Sequence, residues 1–219
     1  MNRTLLLDID GVLIRDKNLL GHVRDNCVRY VQTKFPSCKN PVETNRTLYL
    51  AYGHTARGLR DVHHIDVSDF NEHVYDRHLM DHLTEVIYSN EFQKEARDLH
   101  DLMHTGWSIA LFTNAPIQWA RPVARAISDR IYVSCVGSDL TALKPEPGAY
   151  MSFMNGGNYI YVDDSLKNLG PTRKMKHWNP VYFGDETVEW CPTVSSISEI
   201  CKLVKTNTFD IPNGIGASK

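Results

Sequence analysis

The chain lacks an excess of positive charge. Its 24 Lys and Arg stand against 26 Asp and Glu, a formal net charge of -2 over 219 residues. A nucleic-acid polymer is normally held by a basic face, so that class of partner is not expected. Long apolar runs are missing as well, and none approaches the roughly 20 residues needed to cross a bilayer. The opening residues carry no charged, apolar and small-residue succession of a secretory signal. The expected location is therefore the cytoplasm, with no membrane partner. Cysteine is sparse and odd in number: Cys27, Cys38, Cys135, Cys191 and Cys201 lie far apart with no C-x-x-C pair. Neither a disulfide framework nor a zinc site fits that spacing. The histidines, His63, His64, His73, His78 and His82 among them, show no H-E-x-x-H or Cys/His ligand spacing and read as solvated or supporting side chains. Internal repeats and low-complexity segments are also missing.

What is present is an ordinary globular composition. The length suits one sizeable core, or a core with a smaller second unit. The stretch Thr4 to Leu13 organises the rest: Leu5 to Leu7 reads as a strand buried on both faces, and it ends in Asp8-Ile9-Asp10-Gly11. Alternation puts Asp8 and Asp10 on one side of an extended backbone, and Gly11 lets the chain turn away. Two carboxylates so placed repel each other unless a hard cation lies between them; Mg2+ favours such oxygen ligands together with phosphate.

Apolar spacing predicts a helix over Leu19 to Phe35, a second over Val42 to Leu59 stopped by Gly58, and a third from an N-cap at Ser68 to about Leu79. The stretches around Leu83 and Val86-Ile87 are left unassigned. Residues 15–90 thus form a helical insert. A helix follows with Phe92, Ala96, Leu99 and Met103 on one face and Gly106 at its end. Strands are then predicted at 108–112, 131–135, 159–162 and 180–184. The helices between them lie near Trp119 to Ile127, where Pro122 suggests a kink or a later start, at Gly148 to Phe153, from Leu166, and over Ser196 to Val204. The tail from Lys205 reads as loose. Strands alternating with helices predict an α/β protein, a parallel sheet with helices on both faces, interrupted by a helical insert. The core would comprise 1–14 and 91–219, and the insert 15–90.

The polar residues fall at strand ends. Leu7 runs into Asp8, Phe112 into Thr113-Asn114, and Val162 into Asp163-Asp164, while a loop supplies Lys144-Pro145. Ligands in open α/β sheets bind at those carboxyl ends. The set suits phosphoryl transfer through a covalent aspartyl phosphate. Asp8 would be the nucleophile and Asp10 the general acid and base. Thr113 hydroxyl and the Asn114 N–H would hold phosphoryl oxygens, and Lys144 would neutralise charge. Asp164, with Asp163, would complete an Mg2+ site.

These segments resemble the four ordered motifs of the haloacid-dehalogenase (HAD) superfamily: Asp8-Ile9-Asp10-Gly11-Val12-Leu13, Leu111-Phe112-Thr113-Asn114, Lys144-Pro145 and Val162-Asp163-Asp164-Ser165-Leu166-Lys167-Asn168. The resemblance implies a Mg2+-dependent enzyme in which Asp8 also ligates the metal, Asp10 does so through its backbone carbonyl, and Asp163 and Asp164 finish the shell. An aspartate at position 10 matches the phosphatase branch. The resemblance also implies a HAD-like, Rossmann-like parallel sheet core with an inserted helical cap domain, the insert 15–90 matching the family's cap. Within it, Tyr49 to Leu59 with His63 and Phe70-Asn71 is similar to the Tyr-Gly…Arg-Gly-Leu segment of pyrimidine 5′-nucleotidases, which implies a substrate such as UMP or CMP touched by Tyr52, His54 and Arg57. Other small phosphate esters, including sugar phosphates and pyridoxal phosphate, stay open. So do a phosphomutase and a non-catalytic binding protein on the same fold.

Overall fold

The computed structural model describes residues 3–135, 142–153 and 157–206, and the expectation of a loose tail falls almost wholly outside them. Six parallel strands make one sheet in the order β3-β2-β1-β4-β5-β6: β1 (Arg3–Leu7), β2 (Ser108–Thr113), β3 (Tyr132–Cys135), β4 (Asn158–Asp163), β5 (Trp178–Phe183) and β6 (Thr193–Val194). The central strands follow from their sequence. Alternate residues point to opposite faces, and both faces are covered. Leu5, Leu7, Ile109, Leu111, Ile160 and Val162 join one core cluster. Leu6, Ala110, Phe112, Tyr159 and Tyr161 join another, rich in aromatic rings with Tyr150, Phe153 and Trp178. Four of the strands were anticipated beyond the first; β6, a two-residue edge strand, was too short to show a pattern.

Between β1 and β2 the chain forms six helices: α1 (Lys17–Lys34), α2 (Pro41–Tyr52), α3 (Thr55–His63), α4 (Val67–Val74), α5 (Arg77–Ile87) and α6 (Asn90–Met103). α7 (Ile117–Ile127) follows β2, the single turns α8 (Pro147–Tyr150) and α9 (Leu166–Leu169) flank β4, and α10 (Ile197–Lys205) ends the described chain. No described helix is long and apolar enough to cross a membrane. Side-chain caps define most starts. Asp16, Asn40, Asp66, Asp76, Ser89 and Ser196 each accept a backbone N–H from the first turn of the helix that follows.

Caps also explain where expectation and structure part. The helix expected over Val42 to Leu59 breaks at Gly53, whose φ of 74° is the left-handed conformation glycine tolerates, with its N–H on Tyr49 O at 2.8 Å. Gly58 is not a stop. It lies inside α3, where a Cβ would sit 2.8 Å from Leu48 and 2.9 Å from Tyr52, so its missing side chain lets α2 and α3 pack closely. The helix expected from Ser68 to Leu79 is two. Asp66 rather than Ser68 caps α4, and Asp76 starts α5, which takes in the unassigned stretch around Leu83 and Ile87. Pro122 is accommodated inside α7.

The inserted helices have a small core of their own, built from Tyr30, Val31, Leu48, Ala56, Leu59, Phe70 and Val74, joined by Leu143 from the loop of Lys144. They are not detached from the sheet, because Leu19, Leu79, Leu83 and Ile87 belong to the main cluster.

The tight α2–α3 contact sets a prediction. Gly58→Val overpacks it and should lower unfolding stability by about 1–3 kcal/mol. Gly21→Ala, inside α1 with nothing nearer than 3.8 Å, should be neutral or stabilise by up to ~1 kcal/mol. Denaturant titration of both variants checks the contrast.

Candidate active site

The sheet register brings the strand ends into line. Leu7 pairs with Leu111 on one side and Val162 on the other, so Asp8 and Asp163 leave neighbouring strands at the same level. Strand order reverses about β1, the position where open α/β sheets form a crevice. Asp8 N extends the ladder to Val162 O at 3.0 Å. Beyond it the chain leaves the strand. The N–H groups of Val12, Leu13 and Ile14 return to Ile9 O, so the turn rather than the strand pleat sets the place of Asp10. Arg15 fixes this turn from outside, donating to Val12 O at 2.6 Å and to Glu95 of α6 at 2.7 Å. Gly11 has φ +83°, and a Cβ there would lie 1.9 Å from Asp164 Oδ2. Glycine is therefore required twice, by backbone conformation and by the carboxylate lying over it.

Lys144 is the hub. Its side chain has no exposed surface. Nζ lies 3.0 Å from Asp8 Oδ1, 2.7 Å from Asp163 Oδ2 and 2.8 Å from Phe112 O, which uses all three ammonium donors. Burial alone would pull the ammonium's pKa down; Asp163 and Asp8 together outweigh that and raise it. Asn114 clamps the backbone of the same residue, accepting from Lys144 N at 2.9 Å and donating to Lys144 O at 3.1 Å. Asp163 is fully buried, and its donors among the described residues are Lys144, Tyr161 hydroxyl, Ser165 N at 2.8 Å and Asn168 Nδ2 at 3.1 and 3.2 Å. Asp8 Oδ1 also accepts from Ile9 N at 2.7 Å, while Oδ2 has no donor among the described residues. Thr113 is buried and its Oγ1 accepts from Ala115 N at 3.0 Å.

The acid group is electrostatically uneven. Burial pushes Asp8 well above the ordinary carboxylate range; Lys144 pulls it back, and Asp163, Asp10 and Asp164 push it further up. Burial raises Asp10 to about 6, against an opposing hydrogen bond from Trp119 and the charge of Lys144. Burial and then Asp163 raise Asp164 to about 6. One ammonium does not balance these carboxylates. Asp8, Asp163 and Asp164 offer oxygen atoms that all lie within 4.8 Å of one another. That hard-oxygen set fits Mg2+, with the open lone pairs on Asp8 and Asp164.

Of the inserted helices, α2 and α3, with His54 at the junction, carry the residues expected at the substrate. Tyr49, on α2, has its phenol pKa raised by burial of part of its ring and then by the charges of Asp164, Asp10, Asp8 and Asp163, although 56% of the residue is exposed. The three residues expected at the substrate are otherwise engaged. His54 caps α3, its Nδ1 accepting from Ala56 N at 3.2 Å, and burial lowers it to about 4, so the ring is neutral. Arg57 pairs with Glu146, two residues beyond Lys144, and lies 3.6 Å from Asp61. Tyr52 is half-buried against Gly58.

The structure thus joins Asp8, Asp163, Asp164 and Lys144 directly, with Asn114 as the clamp on Lys144. Sequence reading missed Tyr161, Asn168 as a donor to Asp163, Glu146 and Trp119. Tyr161 carried a signal, since two residues before Asp163 on a strand is the same side. Trp119 carried none, because its partner is 109 residues away.

The raised carboxylates yield a prediction. An aspartate with pKa about 6 when folded and 3.8 when unfolded binds more protons in the native state, so its contribution to stability falls as pH rises from about 4 to 6. In EDTA at pH 7.5, Asp10→Asn should melt above the wild type, and the gap should close toward pH 4. Thermal melts across that range check it; a wild type that melts higher at pH 7.5 contradicts it.

No protein-family model matches the chain, and no curated protein does. Solved structures do. A HAD phosphatase from Thermococcus onnurineus is similar at 18% identity, with 93% of this chain and 98% of that one covered and a TM-score of 0.58. A β-phosphoglucomutase from Clostridium difficile is similar at 14% identity, covering 94% and 96%, with a TM-score of 0.63. An L-2-haloacid dehalogenase from Xanthobacter autotrophicus is similar at 11% identity, covering 94% and 99%, with a TM-score of 0.54. The chain has a HAD-like fold.

Proposed function

We propose that this chain is a Mg2+-dependent phosphomonoesterase that works through a phosphorylated Asp8, with a nucleoside monophosphate such as UMP or CMP as its substrate. The observation that carries the reading is the buried Lys144 ammonium held between Asp8 and Asp163 at strand ends, beside the group formed with Asp164. The HAD-like fold, shared with a phosphatase and a phosphomutase, supports a phosphoryl-transfer enzyme.

Asp8 is the nucleophile. Lys144 holds its Oδ1, which leaves Oδ2 to approach phosphorus. Asp10 gives a proton to the departing alkoxide and takes one from the attacking water. The Thr113 hydroxyl and the Asn114 N–H donate to the phosphoryl oxygens, while Lys144, its three donors already used, acts on them through its charge alone. Asp163 serves chiefly to hold Lys144. Asp8, Asp164, the Asp10 carbonyl and Asp163, directly or through water, would hold Mg2+, which would supply charge neutralisation between carboxylate and phosphate. The helices of 15–90 act as the cap. On this reading Tyr49 is the nearest α2 residue to the phosphate, and Tyr52, His54 and Arg57, which share its segment, would leave their present partners to meet sugar and base. Fold by itself does not fix a substrate, so the cap carries this part of the reading.

Phosphate release from nucleoside monophosphates, sugar phosphates and pyridoxal phosphate, with Mg2+ or EDTA, tests it. The expected result is turnover of UMP or CMP that needs Mg2+ and falls by on the order of 10⁴ or more in Asp8→Asn. Activity surviving that substitution overturns the mechanism. Release only from another ester overturns the substrate assignment, and an isomerised sugar phosphate in place of free phosphate indicates a mutase.

A further inference from the structure

Trp119, the third residue of α7, is fully buried and reaches the other end of the motif set. Its Nε1–H donates to Asp10 Oδ1 at 2.9 Å. An indole N–H can only donate, so Oδ1 is held as an acceptor. Oδ2 has no donor among the described residues, and a proton carried by Asp10 therefore sits there. The indole is itself held from the insert. The Tyr75 ring, at the end of α4, packs against it at 5.6 Å between centroids, and the adjacent Gln118 donates to Asn71 O at 3.1 Å. Neither Trp119 nor these partners belongs to the motifs that identify the fold.

We infer that Trp119 is a positioning residue for the acid and base step, aiming Asp10 Oδ2 at the ester oxygen while Tyr75 holds the indole in register. This rests on the phosphatase reading. In the first half-reaction the Asp8 oxygen–phosphorus bond forms and the phosphorus–ester oxygen bond breaks, its electron pair going to the ester oxygen. The proton on Asp10 Oδ2 passes to that oxygen and an alcohol leaves. In the second, water oxygen bonds to phosphorus, its proton returns to Oδ2, and the Asp8–phosphorus bond breaks to free phosphate.

The leaving group separates positioning from mere packing. A nitrophenolate departs without a proton, whereas a sugar alkoxide needs one. For Trp119→Phe, kcat/KM, which reports the first half-reaction, should fall by about 10²-fold for an alkyl ester such as UMP, the size of effect general acids supply. With p-nitrophenyl phosphate it should change far less. An equal loss on both esters, or none on either, overturns the inference and leaves the phosphatase reading standing. A wild type that releases no phosphate from any ester overturns that reading instead. The contact has a readout that needs no Trp119 variant. The indole N–H signal of the wild type that shows contacts to the Tyr75 ring should move upfield and exchange faster in Asp10→Ala; an unmoved signal overturns the inference.

Discussion

One ammonium group organises this molecule. Burying the charge of Lys144 without partners would cost several kcal/mol, and its three donors are met by Asp8, Asp163 and the carbonyl of Phe112. Those acceptors come from three adjacent strands, so the ion group fixes β1, β2 and β4 in register at their carboxyl ends. The dependence runs both ways. Asp8 and Asp163 are tolerable in a buried place because the lysine is there, and the lysine loop stays because Asn114 grips its backbone on both sides. Charge balance is left incomplete, with Asp10 and Asp164 raised to about 6. Proximity of carboxylates is an unfavourable arrangement, and a hard cation relieves it by neutralising charge among their oxygen atoms.

The sequence made the sheet and the polar strand ends legible because both are local patterns. A buried run such as Leu5 to Leu7, closed by Asp8, needs no knowledge of the rest of the chain. Helix boundaries in the insert were less legible, since Gly53 and Gly58 are the same residue type with opposite roles. One accepts a left-handed backbone, and the other makes room for Leu48 and Tyr52. Only the packing partner distinguishes them. Ser68 and Asp66 are both good caps, and two residues decide which takes the first turn. Asp163 illustrates a further limit. Its place at a strand end was evident, but the donors from Tyr161, Ser165 and Asn168 that occupy it come from the finished fold.

The insert and the core share residues in a way that a two-part division hides. α5 contributes Leu79, Leu83 and Ile87 to the cluster beneath the sheet, whereas α2, α3 and α4 keep their own. Arg57 meets Glu146, Gln118 meets Asn71, Tyr75 meets Trp119 and Arg15 meets Glu95, so the boundary is crossed at several separate points. Chemistry expected of the motifs is thus physically continuous with helices whose sequence says little about chemistry.

Leu143 sits in the hydrophobic cluster of the inserted helices while the next residue, Lys144, lies among the carboxylates of the sheet. Two adjacent side chains are anchored in different bodies. Pulling the leucine out would expose an apolar side chain at about 2 kcal/mol, an occupancy of a few per cent at room temperature. Swinging the helices outward with it would instead tug on the peptide that carries the ammonium. Any breathing of the inserted helices is therefore mechanically geared to the electrostatics of the carboxylate group, because the apolar anchor and the charge are one residue apart.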